Sequence, residues 1–355
     1  MSEARMTDSA TQHTEPAAGH GEGDGHGEGH GEGHGEGGGG HGGGTTAILA
    51  ALAANLGIAV AKFVAFLITG ASSMLAESIH SVADSGNQGL LLLGGRTSKR
   101  EATPDHPFGF GRDRYLYGFL VAVVLFSVGG LFAIYEGVHK VRESGEVESQ
   151  LVAIIVLLIA ICLESFSLRT AVRETNQVRT PGESYWQFIR HARAPELPVV
   201  LLEDTAALTG LVLALLGVGL SAITGNGVYD GLGTIAIGLL LVAVAAILAV
   251  ETKSLLIGES ATPEDQRKIV AALTAGEGVD SVIHMRTQHL GPEELLVAAK
   301  IAVRHDETAL AVAQAIDDAE ERVRAAVPIA RVIYLEPDIR RPGTSTPEVP
   351  TAPAG

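Results

Sequence analysis

The sequence predicts an α-helical membrane protein with six transmembrane helices, followed by a small cytoplasmic α+β domain of order α-β-β-α-β. Three observations predict it. Apolar stretches recur at close to the ~20 residues that span a hydrocarbon core. The 355-residue chain is 46% hydrophobic, with a mean hydropathy of +0.26, despite a long Gly/His/Glu-rich start. Beyond Glu251 the unbroken apolar runs give way to the amphipathic patterns of a soluble domain.

Residues 1–44 repeat HGEG and close variants from His20 to His41. Glycine at this density costs too much chain entropy to order, and nothing apolar is available to bury, so a disordered tail is expected. The spans fall at 46–69, 73–95, 115–138, 151–169, 198–223 and 229–250, within a transmembrane domain of 45–252. The first apolar run has no basic segment ahead of it, so it is expected to be a retained helix rather than a secretory leader.

Basic residues set the orientation. Arg96, Lys99, Arg100, Arg112 and Arg114 follow span two, and Arg173, Arg179, Arg190 and Arg193 follow span four. The first and fifth links carry no Lys or Arg. The third has Lys140 and Arg142 against three glutamates. Both termini are therefore expected in the cytoplasm of a plasma (inner) membrane protein.

The soluble domain is expected over 259–337. A helix over 263–273 opens with Thr262 as N-cap and Pro263 at its first position. Strands at 279–289 and 294–303 flank the Gly291-Pro292 turn. An amphipathic helix covers 308–327 and a last strand 330–335. The Pro- and Thr-rich remainder, 338–355, reads as a second disordered tail.

Composition excludes several classes. A net charge of −16 leaves no basic field for nucleic acid. Cys162 is the single cysteine, so no intramolecular disulfide framework exists. No HExxH or comparable motif is present, so a metal-dependent hydrolase is not expected. No cofactor is expected either.

Ionisable groups in hydrocarbon are expensive and mark sites unless they pair or snorkel. In the second span Glu77, His80, Asp84 and Asn87 stand at i, i+3, i+7 and i+10, one face of a helix. His80 and Asp84, one turn apart, converge as ligands that suit zinc and its first-row neighbours. Glu203 and Asp204 lie about two turns into the fifth span with nothing basic nearby in sequence. Two adjacent acids there need a cation, a proton or an aqueous cavity. Helix five against helix two would set His80, Asp84, Asp204 and Glu203 around one metal ion. Glu77, Asn87 and Asn55 would support them. Lys62 either neutralises an acid or snorkels, Glu164 in the fourth span is structural or on the pathway, and Asp230 is expected to cap.

The segments AESIHSVAD, DHPFGFGRDRY, LLEDTAALTG, NGVYDGLGTIAIG and VIHMRTQHLGPEE together resemble the cation diffusion facilitators, over about residues 45–337. The resemblance implies a homodimeric, proton-coupled exporter of zinc or related divalent metals, working by alternating access. It also implies a ferredoxin-like cytoplasmic domain at the dimer contact. His80 and Asp84 match the family's metal-binding pair, and Asp204 matches its acid in the fifth helix. Val200 stands where the family often places a further His or Asp. Glu203 is the expected substitute, as in the divergent branch with Glu-Asp in this helix. Losing one nitrogen donor leaves cobalt, nickel, iron and manganese open beside zinc.

Asp105 and His106 match an accessory site whose second histidine appears here as Phe110. His284 matches a ligand-bearing position of the soluble domain, but Lys300 and Tyr334 stand where some members carry histidines. That domain is therefore expected to dimerise without a formed metal centre. The tail histidines His20, His26, His30, His34 and His41 are expected to concentrate metal by weak multivalent binding. A metal sensor that does not transport would share the same ligands. The expected partners are thus divalent metal, protons, the lipid bilayer and a second copy of the chain.

Overall fold

The computed structural model describes residues 41–143, 149–304 and 306–339, with side chains from Asn55 onward. The chain divides into two units, Met1–Thr45 and Thr46–Gly355. Every described element belongs to the second unit, apart from the first turn of α1. His20, His26, His30 and His34 lie outside the described residues, and His41 opens α1.

Six long helical segments form a bundle among the described residues: α1 (His41–Thr69), α2 (Ser72–Thr97), α3 (Asp113–Val124) running through a π-helical turn (Leu125–Leu131) into α4 (Phe132–Glu143), α5 (Gln150–Val178), α7 (Glu196–Thr224) and α8 (Val228–Ile257). Each expected span lies inside one of them. The α3–α4 segment, α5, α7 and α8 are long and apolar enough to cross a membrane, and α1 adds a shorter apolar stretch, Asn55–Thr69. The polarity of α2 is turned inward: Glu77, His80, Ser81, Ser85 and Asn87 are all buried.

Helix ends outrun the expected spans where nothing stops them. α5 continues past Arg169 to Val178 because no Gly or Pro interrupts it. α8 continues to Gly258, whose φ of 109° breaks the helix. The short α6 (Tyr185–His191) is an element beyond the six expected spans. Its signal is the capping box Ser184-x-x-Gln187, in which Ser184 Oγ accepts from Gln187 N and Gln187 Oε1 accepts from Ser184 N.

Close backbone approach holds the α4–α8 pair. A Cβ on Gly137 would lie 2.7 Å from Gly231 O, and one on Gly238 2.8 Å from Ile134 N. Small residues at such a contact let helices pack without a hydrophobic driving force. Asp230, fully buried at the start of α8, serves another helix. Its carboxylate accepts from the backbone N–H of Ser72 (2.8 Å) and Ser73 (3.3 Å), and from both serine hydroxyls. Ala71 provides no side-chain cap for α2, so Asp230 satisfies its orphan donors and complements its dipole across 158 residues.

The C-terminal domain contains α9 (Pro263–Thr274), β1 (Ser281–Gly291), β2 (Glu294–Ala302), α10 (Ala309–Ala326) and β3 (Val332–Asp338). β2 lies between β1, antiparallel, and β3, parallel. This is the expected α-β-β-α-β order in a ferredoxin-like arrangement. Leu295, Val297, Ala299 and Ile301 alternate inward along β2, with Ile269 and Leu273 of α9 and Ala319 and Val323 of α10 in the same core. β1 begins later than expected because Gly278, at φ 93°, turns the chain first.

The loop before α3 docks on the β1–β2 turn. A Cβ on Gly111 would stand 2.8 Å from Leu290 O. Arg114 pairs with Glu196 and reaches Glu293 at 3.4 Å, and Arg193 pairs with Glu259. His289 is buried here, donating its backbone N–H to Glu259 O (2.8 Å).

Both junctions can be tested. Asp230→Ala should destabilise the detergent-solubilised protein by about 2 kcal/mol or more, with Asp230→Asn recovering part, as thermal unfolding will read. Burial, and then the Arg193 charge, hold the His289 imidazole below its ordinary value of 6.5. The folded state thus favours neutral His289, and its contribution is full above that value and lost as pH falls below it. Hydrogen-exchange protection of the β1–β2 hairpin should fall from about pH 7.5 to about pH 5.5, and His289→Gln should flatten that dependence.

Candidate cation site

The site grows from the polar face of α2, whose members each find a different partner. Glu77, with 0% of its side chain exposed, pairs with Lys62 of α1 at 3.1 Å, and Lys62 Nζ also donates to Ser81 Oγ at 2.8 Å. Lys62 therefore neutralises an acid rather than snorkelling. Glu77 Oε1 abuts α7 where Gly210 leaves room; a Cβ there would lie 2.8 Å away. One turn on, His80 Nε2 lies 3.4 Å from Asp84 Oδ2. His80 is 1% exposed, and neither ring nitrogen has a hydrogen-bond partner; Asp84 Oδ1 also lacks one. Asn87 Nδ2 donates to Glu203 Oε1 at 2.6 Å, tying α2 to α7.

Beyond this face a cleft of about 30 Å³ opens between α1, α2, α5 and α7. It is lined by Asn55, Asp84, Glu164, Val200, Glu203 and Asp204, with Ile58, Ser81, Gln88 and Ser167 completing the wall. That volume holds one or two water-sized groups. Asp204 Oδ2 accepts from Ser167 Oγ at 2.9 Å. Asp84, Glu203 and Asp204 thus meet on one cleft, with Asn55 beside them and His80 behind Asp84. They do not yet form a coordination sphere: among the described residues no three His, Cys, Asp or Glu side chains are gathered closely enough to hold one ion.

Glu164 and Ser167 carry the part of the site that the sequence motifs leave open. They stand at i, i+3 on α5, and that spacing is visible in the sequence, but only the α5–α7 contact shows that it faces the acids. Val200 also faces the cleft, so the departure from the family pattern falls on a lining position.

The other expected residues lie elsewhere. Asp105 and His106 border a wider cleft with Arg100, Phe110 and Gln288. There the His106 ring lies 4.7 Å from that of Phe110, whose face Arg100 covers at 4.3 Å. His284 is exposed on β1, paired in register with Lys300 of β2. Lys300 itself is held by Glu336 (2.9 Å) and Asp338 (3.2 Å).

The model of the cation efflux transmembrane domain matches residues 48–257. The chain belongs to the cation efflux family, the cation diffusion facilitators.

Its relatives include the human mitochondrial proton-coupled zinc antiporter SLC30A9, 35% identical over 241 residues, which are 68% of this chain and 42% of that protein. Metal tolerance protein C4 of Arabidopsis thaliana is 29% identical over 72% of this chain and 56% of its own length. The cation-efflux pump FieF of Pectobacterium atrosepticum is 26% identical over 81% of this chain and 90% of its own. The chain thus spans less than half the length of the zinc antiporter. In this cation efflux protein the matched segment holds every residue of the cleft.

The Lys62–Glu77 pair gives a direct test of how the site is supported. Lys62→Met alone strands a buried carboxylate and should cost about 3–5 kcal/mol. The double variant Lys62→Met/Glu77→Leu should recover most of that loss, and thermal unfolding of all four forms closes the cycle.

Proposed function

We propose that this protein exports divalent transition-metal cations across the membrane by proton-coupled alternating access, with zinc as the favoured substrate. The observation that carries the reading is the cleft in which Asp84, Glu203 and Asp204 converge, with the buried His80 against Asp84 at 3.4 Å and its Nδ1 without a partner. Clustered carboxylates in a membrane interior are costly unless a cation or protons offset them. The one lysine near them, Lys62, is already committed to Glu77. A divalent cation therefore answers the charge that the protein leaves unbalanced.

His80, Asp84 and Asp204 act as the donors. Glu203, its carboxylate held by Asn87, adds negative charge at the same level. Loading draws α2, α5 and α7 together around the cation from the cytoplasmic side, where both termini lie. Release on the other side follows protonation of His80 and a carboxylate, because protons and metal compete for the same lone pairs. The protein works as a homodimer, and the histidines of the N-terminal tail raise the local metal concentration. Two relatives support the substrate class by name, one as a proton-coupled zinc antiporter and one as a cation-efflux pump.

Reconstitution into proteoliposomes tests the reading. Zinc flux should follow an imposed pH gradient and vanish when the gradient is collapsed. His80→Ala and Asp84→Ala should each lower it by at least about tenfold. Parallel trials with cobalt, nickel, iron and manganese set the metal preference. Metal binding without flux would replace the exporter by a sensor, and unchanged flux in both variants would remove the site.

A further inference from the structure

We propose that Glu164 of α5 supplies the fourth protein donor to the transported cation, the one that α7 withholds at Val200. This rests on the cation site proposed above and names its missing member. α2 offers two donors one turn apart, His80 and Asp84. At the same spacing α7 offers Asp204 and Val200, and the Val200 side chain faces the cleft without a lone pair. Glu203, the adjacent acid, is about 100° around the helix from Asp204. It is 5% exposed, and its Oε1 already accepts from Asn87 at 2.6 Å. Its carboxylate is engaged in packing α7 on α2.

Glu164 is differently placed. It lines the same cleft from α5. Its carboxylate has no hydrogen-bond or ion-pair partner among the described residues. It lies within electrostatic reach of Asp84, Asp204, His80 and Lys62. One turn further along α5, Ser167 donates to Asp204 Oδ2 at 2.9 Å. That bond locks α5 to α7 at the level of the site, so Glu164 is held beside the acid it would work with. The stretch around it, LLIAICLESFSL, is otherwise apolar or hydroxylic, and α5 buries only 17% of its apolar window inside the protein. A carboxylate in so exposed a helix costs free energy unless it faces a cation.

A second observation concerns the nitrogen donor. His80 is 1% exposed; its Nε2 faces Asp84 Oδ2 at 3.4 Å, longer than a good hydrogen bond, and its Nδ1 has no partner, so a lone pair remains for a ligand. The resulting set is one imidazole nitrogen and three carboxylate groups, a mixture that suits zinc and also admits cobalt or manganese.

The full chain, purified in detergent, is titrated with Co2+, whose d–d absorption reports the donor set, and with Zn2+ in competition. Glu164→Gln should weaken both by about tenfold or more and alter the Co2+ spectrum. Val200→Asp placed in the Glu164→Gln background should return affinity and intensity, because it restores a carboxylate from α7. If Glu164→Gln does not fold, Glu164→Asp, which withdraws the carboxylate by one methylene, should show the same weakening. Unaltered affinity and spectrum in folded Glu164→Gln, while Asp84→Asn abolishes binding, would overturn the assignment and leave the site standing. Unaltered binding in Asp84→Asn as well would overturn the site itself.

Discussion

A polar helix face inside a hydrocarbon-embedded bundle must have every charged group answered, and α2 imposes that requirement on all its neighbours. Its face carries Glu77, His80, Asp84 and Asn87, buried or nearly so. Leaving one such charge alone costs several kcal/mol, whereas a well-paired one comes close to breaking even. The neighbours are accordingly specialised. α1 contributes Lys62 to Glu77, α7 contributes Glu203 to Asn87, and α8 contributes Asp230 to the helix start. The middle of the face is the least answered part: His80 and Asp84 face each other at 3.4 Å, while His80 Nδ1 and Asp84 Oδ1 have no partner.

The same requirement divides the bundle. The α3–α4 segment and α8 interlock through Gly130, Gly137, Gly231 and Gly238, where backbone meets backbone and no side chain can be added without displacement. Contacts packed that closely have little room to deform, so they define a stiff body. The cleft side is built otherwise. α5 is largely exposed on its outer side, packs along α7, and is hydrogen-bonded to it at the site from Ser167 to Asp204.

Much of this is legible in the amino-acid sequence. The i, i+3, i+7, i+10 spacing places the polar residues of α2 on one face because helical period alone dictates it, and length with apolarity locates the helices. The α-β-β-α-β order emerges from period and turn residues in the same way. Partnerships are not legible, because they join residues far apart in the chain. Nothing in NGVYDGLG says that Asp230 caps a helix 158 residues earlier, and nothing around Lys62 names Glu77. Glu164 is ambiguous in sequence for the same reason: its face is fixed only by how α5 is rotated on α7, and an almost uniformly apolar helix carries no periodic signal for that rotation. The short α6 is the opposite case, since its capping box is readable but its brevity hides it among the loop residues.

The soluble domain is connected to the site through α7. Glu196, in the first turn of α7, pairs with Arg114, which also reaches Glu293 in the β1–β2 turn. Gly111 lies against Leu290 and Gly291 of the same turn so closely that a single methyl would separate them. Asp204 and Val200 sit on α7 one to two turns beyond Glu196. The hairpin turn and the cleft are therefore linked through the Arg114 side chain of α3, which reaches Glu293 and pairs with Glu196 on the helix that carries Asp204 and Val200. A helix held in its first turn by the Arg114 guanidinium and about two turns on by Asn87 and Ser167 has few ways to move over that stretch except as a rod. Any approach of Asp204 toward Asp84 is then felt at Glu196, and the Arg114 contacts must follow or break.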